Sequence, residues 1–148
     1  MLHRPAPYLT IASQSLAEIY VAEGQPARGA PLYEQALQIL IQRAPDSLQT
    51  AQLMSDLAGV DYRSLGKVQE AETLFSQSLQ IKEKALGKNN PASRLEQRML
   101  ARIYCSTGRC EQAEPLIRSA LAGDQAGFGP DNLLVGMDRQ SSRRHGSR

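Results

Sequence analysis

The chain has 148 residues, a net charge of +2 and a hydrophobic fraction of 41%, which is enough sequence for one domain with a buried core. It has no run of 18 apolar residues, so we expect no membrane span. Its only histidines, His3 and His145, lie near the two ends, where a histidine-based catalytic centre has no rigid support.

The N-terminal residues MLHRPAP predict a short flexible segment over 1–7, because Pro5 and Pro7 delay the first helix until about Tyr8. The first ten residues also lack the long apolar segment of a secretory signal, from which we expect a cytoplasmic location. Three pairs of helices are then predicted, over about 8–43, 48–86 and 91–123, and each pair is followed by turn residues.

One segment recurs three times along the chain at a fixed spacing. Gly24, Gly66 and Gly108 lie 42 residues apart, and the same kinds of residue follow each glycine. The recurring residues are small at Gly29, Ala71 and Ala113, and apolar at Leu32, Leu74 and Leu116 and at Leu37, Leu79 and Leu121. In the second copy the apolar residues have the three-and-four spacing of a helix. A period of this length predicts an array of helical hairpins.

Tyr20, Tyr62 and Tyr104 keep the same register, four residues before each glycine. With the phrase QEAETLFSQSLQIKEKALG they resemble the tetratricopeptide repeat family, in its 42-residue variant found in kinesin light chains. The resemblance covers about 8–135. It implies an all-α fold, a right-handed α-solenoid of about three helical hairpins.

The sequence after residue 123 resembles the start of a fourth copy that is not completed. We expect a short capping helix over about 131–139, because a terminal repeat exposes an apolar face. The basic tail at 140–148 has no apolar residue and is predicted to be disordered. Its arginines could contact phosphates, but no aromatic residue is interleaved with them and the rest of the chain is slightly acidic, which argues against nucleic-acid binding.

Function in such arrays lies on the concave surface formed by the first helix of each pair. From the helical phase, we predict a peptide-binding groove lined by Gln14, Glu18, Val21, Asp56, Leu57, Val60, Arg63, Arg98, Met99, Arg102 and Cys105. Its arginines and apolar residues suit a partner with acidic and hydrophobic character. The alternative is that these arginines are ordinary solvated surface charges.

Asp61 interrupts the repeat, because Ile19 and Ile103 stand at the same place in the other copies. Burial of an unpaired carboxylate is unfavourable, so we expect either a locally shifted helix or a buried functional carboxylate. Cys105 and Cys110 flank the Gly108 turn. No further cysteine and no nearby histidine accompanies them, so zinc lacks ligands. They could approach each other across the turn, but a cytoplasmic context favours free thiols.

We therefore expect a non-enzymatic module that binds a protein or peptide partner, with no cofactor, no metal and no membrane partner. The alternative is a scaffold that self-associates through the open ends of its array.

Overall fold

The computed structural model describes residues 7–128, and within them every regular element is an α-helix. The helices are α1 (Pro7–Ala22), α2 (Pro26–Arg43), α3 (Leu48–Arg63), α4 (Val68–Leu86), α5 (Pro91–Ser106) and α6 (Cys110–Phe128). They form three hairpins, each closed by one of the repeated glycines. This confirms the all-α repeat fold predicted from the sequence. The predicted N-terminal segment, capping helix and basic tail lie outside the described residues.

The starts of the helices follow from local capping chemistry. The side chain of Ser47 accepts a hydrogen bond from the backbone N–H of Thr50 at 3.1 Å and caps α3, and Asn90 caps α5 in the same way. Pro31 lies inside α2, which nevertheless continues to Arg43. A proline near a helix start removes few hydrogen bonds, so the helix is not broken there.

The repeated glycines close the hairpins because each adopts a left-handed backbone. Gly24, Gly66 and Gly108 have φ values of 78°, 69° and 79°, a conformation that residues with a side chain rarely adopt. An added Cβ would meet nothing within 4 Å at any of the three. The backbone angle, and not a lack of space, therefore requires glycine at these turns.

The second turn differs from the other two. After the first and third glycines, the next N–H donates to the carbonyl of Tyr20 or Tyr104, five residues earlier. After Gly66, the N–H of Lys67 donates instead to the carbonyl of Asp61, six residues earlier. The end of α3 is thus one residue out of step with α1 and α5, as one of the two interpretations of Asp61 predicted.

The chain divides into two compact units, Met1–Ala85 and Leu86–Arg148. Unit 1 contains α1 to α4, and its core is formed by apolar residues from its helices, chiefly Ala17, Ala30, Tyr33, Ala36, Leu37, Leu40, Leu53, Met54, Leu57 and Val60. The first hairpin is closely packed at Gly29, where a Cβ would lie 2.8 Å from the carbonyl oxygen of Ala17. The small residue in the repeat pattern is therefore a packing requirement in this copy.

Buried polar contacts join α3 to α4 in unit 1. The hydroxyl of Ser78 donates to the carbonyl of Ala51 at 2.8 Å and lies 2.9 Å from the hydroxyl of Ser55. Lys82 is buried, and its ammonium donates to Ser55 and to Gln52 at 3.2 and 3.4 Å. A buried cation needs such acceptors, so these contacts fix how the two helices pack.

Unit 2 contains the hairpin of α5 and α6. The buried guanidinium of Arg94 on α5 donates to the carbonyls of Asn89 and Gly123, and the second contact, at 3.2 Å, reaches α6. Leu100, Ile103, Ala113 and Ala120 are buried in the same unit. The arginine therefore links the start of α5 to the later part of α6.

No helix in the described part of the chain is both long enough and apolar enough to cross a membrane.

Candidate functional site

Two of the predicted groove residues in unit 1 are acidic, Glu18 on α1 and Asp56 on α3. Gln14 donates to the carboxylate of Glu18 at 3.5 Å, and Gln52 donates to that of Asp56 at 3.0 Å. Burial, followed by the negative charges of Asp56 and Glu18, raises the pKa of Tyr33 to about 12. Glu18 and Asp56 therefore both contribute negative charge in the neighbourhood of Tyr33.

Arg63 lies exposed at the end of α3 and folds back along its own helix. Its Nε donates to the carbonyl of Gly59 at 3.4 Å, and a Cβ on Gly59 would come within 2.9 Å of its Nη2. Glycine at this position therefore gives the guanidinium room to lie against the helix.

Leu57 and Val60 were wrongly predicted to line the groove. Their side chains are only 3% and 6% exposed and belong to the core of unit 1. Val21 is half-buried and also packs against that core. The reason is that α3 packs against both α2 and α4, so more of its circumference is covered than that of a helix with one neighbour.

A mixed basic and apolar surface lies on α5 in unit 2. Arg98 and Arg102 are exposed one turn apart, and Met99 beside them is half-buried. Leu95, which the sequence analysis missed, is 54% exposed. It precedes these residues by three, four and seven positions, which places all four on one helix face. We call Leu95, Arg98, Met99 and Arg102 the α5 strip.

The prediction that Cys105 is a free thiol was wrong, whereas its place in the groove stays a prediction. It is exposed, but it forms a disulfide with Cys110, with a Cα–Cα distance of 4.1 Å. The hairpin turn at Gly108 brings the end of α5 and the start of α6 together, so the two cysteines meet. The disulfide closes the turn covalently at one end of unit 2.

A cleft of about 500 Å³ opens between α2, α3 and α4 of unit 1. It is lined by Glu34, Leu37, Gln38, Leu57, Asp61, Lys67, Glu70, Thr73 and Leu74. We call it the Asp61 cleft, because Asp61 on its wall is a carboxyl side chain that is only 4% exposed. Burial raises the pKa of this carboxyl, Lys67 lowers it, and Glu34 and Glu70 raise it further.

Both interpretations of Asp61 therefore describe part of the structure. The end of α3 is shifted, as its hydrogen bonds show, and the carboxyl is buried beside a cleft. Within residues 7–128, no three His, Cys, Asp or Glu side chains are arranged to hold a metal ion.

Comparison with known proteins identifies the family. The sequence model described as tetratricopeptide repeat matches residues 8–84 and 58–126. No curated protein matches the chain.

Solved structures of similar repeat proteins match with high structural agreement. The crystal structure of BtubC (BKLC) from P. vanneervenii has a TM-score of 0.76 and 25% identity, and the match covers 84% of this chain and 50% of that one. A putative kinesin light chain from Podosopora anserina with nearly identical TPR-like repeats gives 0.76 and 28%, covering 88% and 62%. A substituted form of that Podosopora anserina protein gives 0.78 and 25%, covering 100% and 72%.

The chain thus spans between half and about three quarters of the length of these three proteins. The repeats of this family form protein–protein interaction modules. From the match over most of its length and the three helical hairpins that it folds into, the chain belongs to the tetratricopeptide repeat family, with repeats like those of kinesin light chains.

Proposed function

We propose that the chain is a non-enzymatic adaptor that binds a partner polypeptide through the exposed faces of its leading helices, with the α5 strip as the main contact. The observation that carries this proposal is the composition of that strip. Two exposed arginines lie one turn apart on a regular helix, beside Leu95 and Met99. A helix face that combines exposed apolar surface with positive charge is suited to bind a partner.

The partner segment should carry acidic residues beside an apolar anchor. Carboxylates accept charge-assisted hydrogen bonds from guanidinium groups, either singly or as bidentate pairs. An apolar side chain of the partner would cover Leu95 and the exposed part of Met99, which removes apolar surface from water. Because both arginines are exposed, salt should weaken the electrostatic part of the binding.

In unit 1, Gln14, Glu18, Asp56 and Arg63 remain as proposed contacts. Glu18 and Asp56 give this surface the opposite sign to the α5 strip, so here the partner would present hydrogen-bond donors or basic groups. The acidic character predicted for the partner therefore applies to the segment that binds unit 2.

A displayed random-peptide library selected on the full chain would test this proposal. We expect the selected peptides to be enriched in Asp and Glu next to Leu or Phe. A synthetic peptide from the selection should bind the Arg98→Ala, Arg102→Ala double variant about tenfold more weakly than wild type, since each exposed contact contributes modestly.

Arg118→Ala is the matched control, because Arg118 is an exposed arginine of the same unit whose partner is Glu114 on its own helix. Its affinity for the peptide should equal that of wild type. Equal binding by the double variant, or selected peptides without acidic residues, would contradict the proposal.

Self-association is the second candidate function, and the exposed face of α1 supports it. Tyr8, Ile11 and Ile19 are each more than half exposed, and their spacing places them along one side of the helix. Light scattering after size-exclusion chromatography should then show a dimer or larger species that Ile11→Lys converts to monomer. A monomer at high wild-type concentration would contradict this candidate.

The cytoplasmic location stays part of the proposal. The Cys105–Cys110 disulfide weighs against it, because reducing compartments keep most thiols reduced. Imaging of a fluorescent fusion to the full chain would test the location.

A further inference from the structure

The Asp61 cleft of unit 1 is lined by none of the proposed contact residues Gln14, Glu18, Asp56 and Arg63. Side chains from α2, α3 and α4 and the turn between α3 and α4 form its walls. Its volume of about 500 Å³ falls in the range of pockets that bind ligands. The site thus has the size to receive a side chain of another molecule.

The carboxyl group of Asp61 has no hydrogen-bond or ion-pair partner among the described residues 7–128. Asp61 is only 4% exposed, and it lies on the cleft wall. Buried carboxylates are normally paired, because leaving them without a partner is unfavourable. Asp61 is therefore an acceptor positioned for a donor that comes from outside the unit.

Further negative charge surrounds this acceptor. Glu34 from α2 and Glu70 from α4 also line the cleft, and Lys67 supplies one positive charge. Asp61 is also in the last turn of α3, where the helix dipole is unfavourable for an anion. The cleft therefore has a surplus of negative charge that a cation would relieve.

We propose that the Asp61 cleft binds the basic side chain of a partner polypeptide, and that the carboxylate of Asp61 receives its ammonium or guanidinium group. The acidic side chains of the described region do not converge closely enough to hold a metal ion, which favours a larger organic cation. Leu37, Leu57 and Leu74 form the apolar part of the wall, and the half-buried Leu74 suits the methylene stem of lysine or arginine.

This site goes beyond the proposed function, because it is a cleft formed by other residues than the proposed contacts. A polypeptide source fits the family, whose repeats bind proteins. An apolar residue on either side of this basic residue in the partner would add contact with the half-buried Leu74. The simplest probe is therefore a short peptide with arginine between leucines.

The test is a nuclear magnetic resonance titration of the full chain with the peptide acetyl-Leu-Arg-Leu-amide. The matched probe replaces arginine with citrulline, which has the same shape but no charge. We expect amide shifts concentrated at the cleft, and binding at least tenfold tighter for the arginine probe, as an added charge-assisted hydrogen bond implies.

Asp61→Asn keeps the size of the side chain and removes its charge, so it should weaken the arginine probe at least tenfold. Glu23→Gln is the matched control, because Glu23 is exposed in the turn between α1 and α2 and lies outside the cleft. This variant should bind the arginine probe like wild type. The amide spectra of both variants without probe should resemble that of wild type, which verifies that the variants fold.

Several results would overturn the proposal. They are equal binding of the citrulline probe, unchanged affinity of Asp61→Asn, shifts confined to the α5 strip, or no shift at millimolar probe. Each of these results is obtained with the arginine or citrulline probe. The proposal for the α5 strip is tested with acidic peptides and other variants, so the two can fail independently.

Discussion

Asp61→Asn should stabilise the protein at neutral pH, even though it removes a charge and adds no contact. Wild-type Asp61 is only 4% exposed, and burying an ionised carboxylate costs more than burying a neutral amide of the same size. The variant removes only this extra cost of the charge. We therefore expect the free energy of unfolding to rise by about 1 kcal/mol in the variant.

The pH dependence of this gain follows from the direction of the pKa shift. Burial, with Glu34 and Glu70, raises the pKa of Asp61 in the folded protein above its ordinary value of 3.8. Between the pKa of Asp61 in the unfolded protein and its raised pKa in the folded protein, the folded state binds more protons than the unfolded state. Wild-type stability therefore falls as the pH rises through this interval. The variant should equal wild type below pH 3.8 and exceed it by the full amount once folded Asp61 is ionised.

Urea denaturation followed by circular dichroism, at a series of pH values from acidic to neutral, measures this difference. Glu23→Gln serves as the control and should show no comparable gain, because Glu23 is exposed. A variant that is less stable than wild type at neutral pH would refute the reasoning, since Asp61 would then have a stabilising partner. A pH-independent difference would refute the assigned ionisation.

Three further substitutions test the packing and the covalent closure of the hairpins. Gly29→Ala should lower the free energy of unfolding by about 1 kcal/mol, because overpacking against the carbonyl of Ala17 at 2.8 Å outweighs the gain in helix propensity. Cys105→Ser should lower it by about 2 kcal/mol under oxidising conditions only, since it opens the loop that the disulfide closes. Ser47→Ala should lower it by about 1 kcal/mol through loss of the cap on the Thr50 N–H.

Denaturation curves measure all three changes, and each has an opposing outcome. A more stable Gly29→Ala variant would mean that helix propensity dominates at that site. Equal stabilities of Cys105→Ser and wild type without reductant would show that the disulfide does not stabilise the turn. An unchanged Ser47→Ala variant would mean that solvent replaces the cap.

The turns were predictable because their cause is local. A glycine at a fixed distance behind a tyrosine is enough to predict a left-handed residue, and Gly24, Gly66 and Gly108 all adopt that conformation. The helix pairs were predictable for the same reason, because the helical spacing of apolar residues can be recognised within a short stretch of sequence.

The candidate site was harder to predict, because exposure depends on which helices pack together. Leu57 and Val60 follow the register of exposed positions in other copies, yet contacts of α3 with α2 and α4 bury them. The end of the same helix is also shifted by one residue, as the hydrogen bond from the N–H of Lys67 to the carbonyl of Asp61 shows. A register copied from one repeat to the next cannot include such a shift.

Other errors came from reasoning outside the residues themselves. The free-thiol prediction for Cys105 depended on an expected cell compartment, whereas the spacing of the two cysteines across a turn permits the disulfide. Leu95 was missed although its spacing to Met99 and Arg102 was visible in the sequence. An exposed leucine on a face with two arginines is the signal that could have found it.

The most direct test of the account is amide hydrogen exchange of the full chain with and without an acidic peptide from the library selection. We predict that bound peptide slows exchange in the middle of α5, at residues 95–102, because its side chains would cover the α5 strip. Protection confined to α1 or α6, with α5 unchanged, would contradict the claim that this strip is the partner-binding surface.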